Sequence, residues 1–187
     1  LFIFPGKYPA WFETIPRKKT KERIFMKVKT ITVNGVVAAL YIAITAIIQP
    51  IAFYAFQFRV PEAFNHLVVF QKKYFYGIVL GVFFANLFTS PMKMYDLTFG
   101  VLHSVISLGI TIFLCRFVKN LWARMILNSV VFTINMFIIA IELNLAFGDF
   151  FWEAYLLGAI GEFVVMIVGM PLMYAINKRL HFEKLLD

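Results

Sequence analysis

The chain has ten acidic residues in 187, and several of them fall inside or beside long apolar runs. Glu162 is the deepest. Counted from Phe150, where its run begins, it lies about 18 Å down a helix that rises 1.5 Å per residue. That is close to mid-bilayer, where a carboxylate costs at least about 2.5–3.5 kcal/mol on insertion scales and must face protein or water. Glu62, Asp96 and Glu142 fall at the ends of neighbouring runs, and Arg59, Asn86, His103 and Asn135 complete the polar set. The chemistry open to such groups is recognition. Carboxylates accept paired, charge-assisted hydrogen bonds, and amides and imidazole both donate and accept.

Each candidate also has a structural reading. Arg59 and Glu62, three apart, could form a surface ion pair worth little. Asn86 and Asn135 could simply bond between helices. His103, about two turns into its helix, reads equally well as an interhelical histidine, and Asp96 as a carboxylate at the positive end of a helix. Catalytic signatures are missing. There is no Gly-x4-Gly-Lys-Ser/Thr phosphate loop, no Gly-x-Ser-x-Gly elbow and no His-x3-His pair among His66, His103 and His181. Asp96 with His103 is the one pairing of residue types that an enzyme could use. No catalytic or metal-binding residue is assigned, and the single Cys115 excludes an internal disulfide.

The elements that must hold these groups are membrane helices. The chain is 61% hydrophobic, 18% aromatic and 15% charged, with a mean hydropathy of +0.82. An average soluble domain carries about 25% charged and about 45–50% apolar residues. A soluble enzyme, a nucleic-acid-binding module and a disordered tail are excluded. Four runs reach the roughly 20 residues needed to cross a bilayer: 30–50, 95–115, 121–143 and 150–176. Residues 59–88 hold either one long span or two short helices broken at Gln71-Lys72-Lys73, with Pro61 and Glu62 suited to a helix start.

Charge chooses between them. With six spans and a cytoplasmic N-terminus, sixteen of the 18 basic residues lie inside and only Arg59 and Lys93 lie outside, as the positive-inside rule requires. Five spans would turn the Arg116–Arg124 loop outward. The expected fold is therefore an all-α integral membrane protein, a six-transmembrane-helix bundle with N- and C-termini cytoplasmic. Residues 1–25 read as a basic N-terminal segment upstream of a natural start at Met26, and 26–187 as a single six-helix membrane domain.

Gly35, Ala39 and Ala43 recur every four residues on the first span and let another helix approach closely. Gly158 with Gly161 forms a second small patch, and Gly169 with Pro171 predicts a bend in the last helix.

Specific stretches carry a resemblance. They are Ala38-Ala39-Leu40-Tyr41, Gln57-Phe58-Arg59-Val60-Pro61-Glu62-Ala63 and Gly81 through Ala85-Asn86-Leu87-Phe88. Asp96 with Phe99-Gly100, Ile141-Glu142-Leu143 and Gly161-Glu162 before Val164-Val165 follow. Over residues 30–176 the chain resembles the substrate-binding (S) subunits of energy-coupling factor (ECF) transporters, and more narrowly the QueT family, assigned to queuosine-precursor uptake. Pro61 and His66 depart from the family pattern. The resemblance implies a subunit in a bacterial cell membrane that captures a micronutrient outside. It would work with a transmembrane coupling subunit and two cytoplasmic ATPase subunits, binding no cofactor itself while its partners use ATP. It implies that Arg59, Glu62, Asn86, Asp96, His103, Asn135, Glu142 and Glu162 line the ligand site, and that Gly35, Ala39 and Ala43 meet the coupling subunit. A 7-deazaguanine ligand suits these acceptors. A hydroxymethylpyrimidine or pyridoxine-like vitamin would suit them too. A stand-alone secondary carrier and a membrane enzyme are the alternatives from other classes.

Overall fold

The computed structural model describes the backbone of residues 17–52 and 58–186, and the side chains of 26–48 and 58–186. Residues 1–16 and Gln57, on which parts of the sequence reading rest, lie outside the described residues. Helix α1 (Arg17–Ala52) runs through Met26 without a break. A 3-10 helix, Val60–His66, then leads into α2 (Leu67–Phe70). The chain continues through a 3-10 turn, Lys72–Tyr74, into α3 (Phe75–Thr89). Next come α4 (Lys93–Tyr95), a π-helical turn (Asp96–Gly100) and α5 (Val101–Leu114), forming one rod. The last elements are α6 (Leu121–Asn135), α7 (Phe137–Phe147), α8 (Phe151–Leu180) and α9 (Phe182–Leu185). No strand occurs among the described residues.

Four stretches are long and apolar enough to cross a bilayer: Met26–Ile48, Lys93–Leu114, Leu121–Phe147 and Phe151–Leu180. Between the first two, the chain does break at Gln71, which is extended at φ −150° and ψ 117°. The helices on either side are short. At 1.5 Å per residue, α3 reaches only about 22 Å.

Helix ends follow local chemistry. Helix α3 stops at Thr89 because Ser90 precedes Pro91 and is extended, as the proline ring requires of its neighbour. Asn120 caps α6 by accepting from the Ala123 N–H at 3.1 Å. Gly148 ends α7 at φ 76°, a left-handed conformation that costs glycine little.

Large apolar side chains cover the exterior, while the interior mixes an apolar core with buried polar groups. Ile31, Ile47, Phe88 and Phe113 are exposed, whereas Glu62, Asn65, His66, Asp96, Asn128, Glu142 and Glu162 are buried. An apolar exterior with the charged groups kept inside, away from lipid, is what a bilayer solvent selects.

Helices α1 and α3 approach closely because α3 contributes glycines. A Cβ on Gly81 would stand 2.8 Å from the Tyr41 Cβ, and one on Gly77 would stand 2.6 Å from Asn34 Oδ1. That oxygen instead accepts from the Gly77 N–H at 2.8 Å, satisfying one of the free donors in α3's first turn. Gly158 faces the Met136 methyl, and Gly169 lies against Ala63 of the 3-10 helix. Pro171 sits within α8, whose helical course continues past it.

One end of the bundle gathers distant parts of the chain. Lys29 Nζ donates to the Lys184 carbonyl at 3.0 Å, and Lys73 Nζ to that of Leu186 at 2.5 Å. The Tyr74 hydroxyl donates to the Phe182 carbonyl at 3.0 Å. Trp122 of α6 packs on Tyr174 of α8.

Candidate functional site

Away from that end, polar groups from five segments converge. The 3-10 helix brings Glu62 and its preceding residue Arg59; the π turn brings Asp96; α5 brings His103; α7 brings Glu142; α8 brings Glu162. Arg59, Glu62, His103, Met136, Ile139 and Glu162 line a cleft too narrow to admit a water molecule. Glu142 lies one turn beyond Ile139 and stands beside Asp96, within Coulomb reach of Arg59. Glu162 interacts with both Glu62 and Arg59.

Hydrogen bonding divides the candidates. Arg59 does not pair with Glu62 at the surface. Its Nη2 meets Asp96 Oδ1 at 2.9 Å, and Asp96 is fully buried. The other Asp96 oxygen accepts from the Ser90 hydroxyl. Asn86 Nδ2 holds the Asp96 backbone carbonyl at 2.9 Å. Glu62 accepts from the Tyr41 hydroxyl at 2.7 Å and from Asn65 Nδ2. These two carboxylates are engaged within the protein.

His103 Nε2 lies 3.3 Å from the Phe132 carbonyl. A carbonyl only accepts, so the proton belongs on Nε2. His103 thus bonds a backbone carbonyl through Nε2. Asn135 Nδ2 donates to Ser107 Oγ at 2.9 Å, an interhelical bond between α6 and α5.

Among the carboxylates and amides of the site, some acceptors remain. Both Glu142 oxygens, Glu162 Oε1 and Asn65 Oδ1 are buried without a hydrogen-bond donor. A buried acceptor left unpaired costs about 1–3 kcal/mol, more when charged. The cleft lining also includes Met136, an unbranched, adaptable side chain whose methyl faces Gly158. The arrangement can accept N–H donors from a small molecule once that wall yields.

The sequence reading missed Tyr41, Asn65 and Ser90 as members of the site, although Tyr41 and Gln57–Ala63 lay in resembling stretches. Their types are ordinary in apolar runs, and only their partners, up to 21 residues away, reveal them. His66 has a role of its own in the interior. Thr111 donates to Asn128 at 2.8 Å, Asn128 donates to His66 Nδ1 at 3.2 Å, and His66 Nε2 donates to the Met166 carbonyl at 2.9 Å. Gly35, Ala39 and Ala43 are exposed on α1, and nothing lies within 4 Å of where a Gly35 Cβ would stand. They do not join the site, and α1 uses a different face, that of Asn34, Ala38 and Tyr41, to meet α3.

The family model described as QueT transporter matches residues 31–178. That stretch holds every residue of the cleft. The chain belongs to the QueT transporter family. It is 29% identical over 168 residues to the queuosine precursor transporter QueT of Lactococcus lactis subsp. cremoris (strain MG1363), covering 84% of this chain and 98% of the relative. No solved structure matches the chain. Membership makes this a multi-pass membrane transport protein rather than an enzyme. The buried carboxylates lie between helices and away from lipid.

Proposed function

We propose that the chain is the substrate-capture subunit of an ECF-type importer in a bacterial cytoplasmic membrane, and that its cargo is a queuosine precursor of the 7-deazaguanine type. The observation that carries this reading is the near-complete coverage of a queuosine precursor transporter by this chain. The buried acceptor set adds chemical support, since a guanine edge offers adjacent N–H donors that a carboxylate accepts in pairs.

The proposed topology has six crossings, both termini cytoplasmic and one membrane domain over 26–187. Its support is the meeting of Lys29, Lys73 and the C-terminal segment at one end, together with the charge asymmetry. Arg59, Glu62, Asn86, Asp96, His103 and Asn135 shape and hold the site, and Glu142 and Glu162 receive the ligand. The chain binds no cofactor. ATP is used by two ATPase partners, and a transmembrane coupling subunit docks on the exposed face of Gly35, Ala39 and Ala43, where small side chains permit close helix contact.

Affinity purification of the chain from its native membrane tests both halves. An ECF subunit co-purifies ATPase and coupling subunits, and native mass spectrometry detects a 7-deazaguanine carried with it. Purification without ATPases would favour a stand-alone carrier, and a pyrimidine or pyridine in place of the deazaguanine would reassign the cargo.

A further inference from the structure

The end of the bundle where α6 begins and α8 finishes carries positive charge with no acid to balance it. Residues 97–141 and 163–182 contain Arg116, Lys119, Arg124, Lys178 and Arg179 and no Asp or Glu. Among the described residues, no carboxylate pairs with any of the five. Two of them are engaged locally. Arg124 Nε donates to the Val118 carbonyl at 2.6 Å, and the Arg116 guanidinium stands 5.9 Å from the centre of the Phe113 ring.

Lys178 is held in place without being neutralised. Its Nζ stands over the Tyr174 ring, 4.9 Å from the ring centre and one turn away on α8. Trp122 of α6 packs on the same tyrosine, with the two ring centres 4.9 Å apart. An ammonium is thus seated beside two aromatic rings at the seam between two helices. A ring face attracts a cation through its quadrupole and leaves the charge in place, so the ammonium still has donors for an anion.

The seat continues into the apolar zone. Trp122, Ile126 and Val130 recur every four residues and are 40%, 49% and 40% exposed, so they form one stripe along α6. That stripe runs from the ring pair into the apolar span Leu121–Phe147. In a bilayer it faces acyl chains, while Trp and Tyr sit at the level of the headgroups. The complementary occupant is anionic at one end and apolar along the rest. A soluble acidic protein or a free anion meets only the first condition.

We propose that the α6–α8 seam at this end binds an anionic phospholipid, with its phosphate at Lys178 Nζ, its glycerol region against Trp122 and Tyr174, and an acyl chain along Ile126 and Val130. The assignment is independent of the cargo and of which side of the membrane this end faces.

Brominated acyl chains quench tryptophan on contact, so the fluorescence of Trp122 reads the occupant directly. The full chain carrying Trp11→Phe and Trp152→Phe is placed in bilayers of phosphatidylcholine with a minor fraction of phosphatidylglycerol, bromine being carried by one lipid or the other. Phosphatidylglycerol should be enriched at Trp122 about fivefold over its bulk share, the factor supplied by about 1 kcal/mol for a basic residue at the surface. Lys178→Gln should abolish the enrichment, and Lys178→Arg should keep it. Trp152, 60% exposed at the other end of α8, should show no enrichment in a chain carrying Trp11→Phe and Trp122→Phe. That comparison leaves Lys178 untouched, so a poorly folded variant does not blunt the test. Equal quenching of Trp122 by both lipids would overturn the proposal. The same enrichment at Trp152 would also overturn it, because it would mark a general attraction to a basic protein. Enrichment that survives Lys178→Gln would refute Lys178 as the group that holds the phosphate.

Discussion

The buried acids of this protein differ in what they do for stability, and that difference is measurable. Asp96 holds Arg59 at 2.9 Å and accepts from Ser90. Asp96→Ala leaves a buried guanidinium without that partner, a change that costs about 3–5 kcal/mol in comparable buried pairs. Thermal unfolding in detergent should show a large drop in midpoint together with loss of binding. Glu162→Gln should behave in the opposite way. It removes a buried carboxylate whose Oε1 has no donor, so the midpoint should hold or rise while precursor binding weakens at least tenfold, about 1.4 kcal/mol. Retained affinity in a folded Glu162→Gln protein would take Glu162 out of the site. Depth along an apolar run exposed Glu162 in the sequence. Nothing comparable marks Tyr41 or Asn65, because a hydroxyl or amide in an apolar helix looks alike whether it supports a carboxylate or a backbone carbonyl.

Helix α1 presents two distinct faces, and the structure gives them different fates. The face of Asn34, Ala38 and Tyr41 lies against Gly77 and Gly81 of α3, where an added Cβ would come within 3.0 Å of existing atoms. Gly81→Ala should therefore push Tyr41 away, loosening its 2.7 Å bond to Glu62. Overpacking of this kind costs about 1–3 kcal/mol. The same change at Gly35 meets nothing within 4 Å, and its better helix propensity is worth up to about 1 kcal/mol. Melting curves should separate the two, with Gly81→Ala lower than wild type and Gly35→Ala equal or higher. Equal losses at both positions would mean that the Gly35 face is buried in the folded protein. Four-residue spacing showed that α1 could approach another helix closely. It could not show which neighbour is the protein's own, since Ala38 and Ala39 are adjacent in sequence and lie about 100° apart around the helix.

As a whole, the molecule gathers Lys29, Lys73 and its C-terminal segment at one end, while the turns at Pro91 and Gly148 lie between elements leading away from it. Cysteines introduced at Lys93 and Asp149 should react with a membrane-impermeant maleimide applied to whole cells, and one at Lys119 only after permeabilisation. The opposite pattern would invert the topology. A second whole-molecule prediction concerns coupling. Ala39→Trp places a large ring on an exposed face without touching the cleft. Uptake and ATPase co-purification should fail together while the isolated subunit binds its ligand with unchanged affinity. Loss of ligand binding in that variant would show that the ring disturbs the bundle itself.

Composition and charge pattern were sufficient for the membrane class, the helical content and the break at Gln71, because these depend on local quantities: apolar run length, turn chemistry and where lysines fall. The family was legible for a related reason, through short motifs such as Arg59-x-x-Glu62-Ala63 that stay contiguous in the chain. The division of labour among the acids was not legible. Glu62, Asp96, Glu142 and Glu162 carry the same functional group, and what separates them is whether a donor elsewhere in the fold reaches their oxygens. That depends on the α1–α3 approach across Gly81, on the π turn that carries Asp96 to Arg59, and on Ser90 lying just before Pro91. Each is a through-space contact between segments far apart in sequence, with an energy that exists only once the helices have packed.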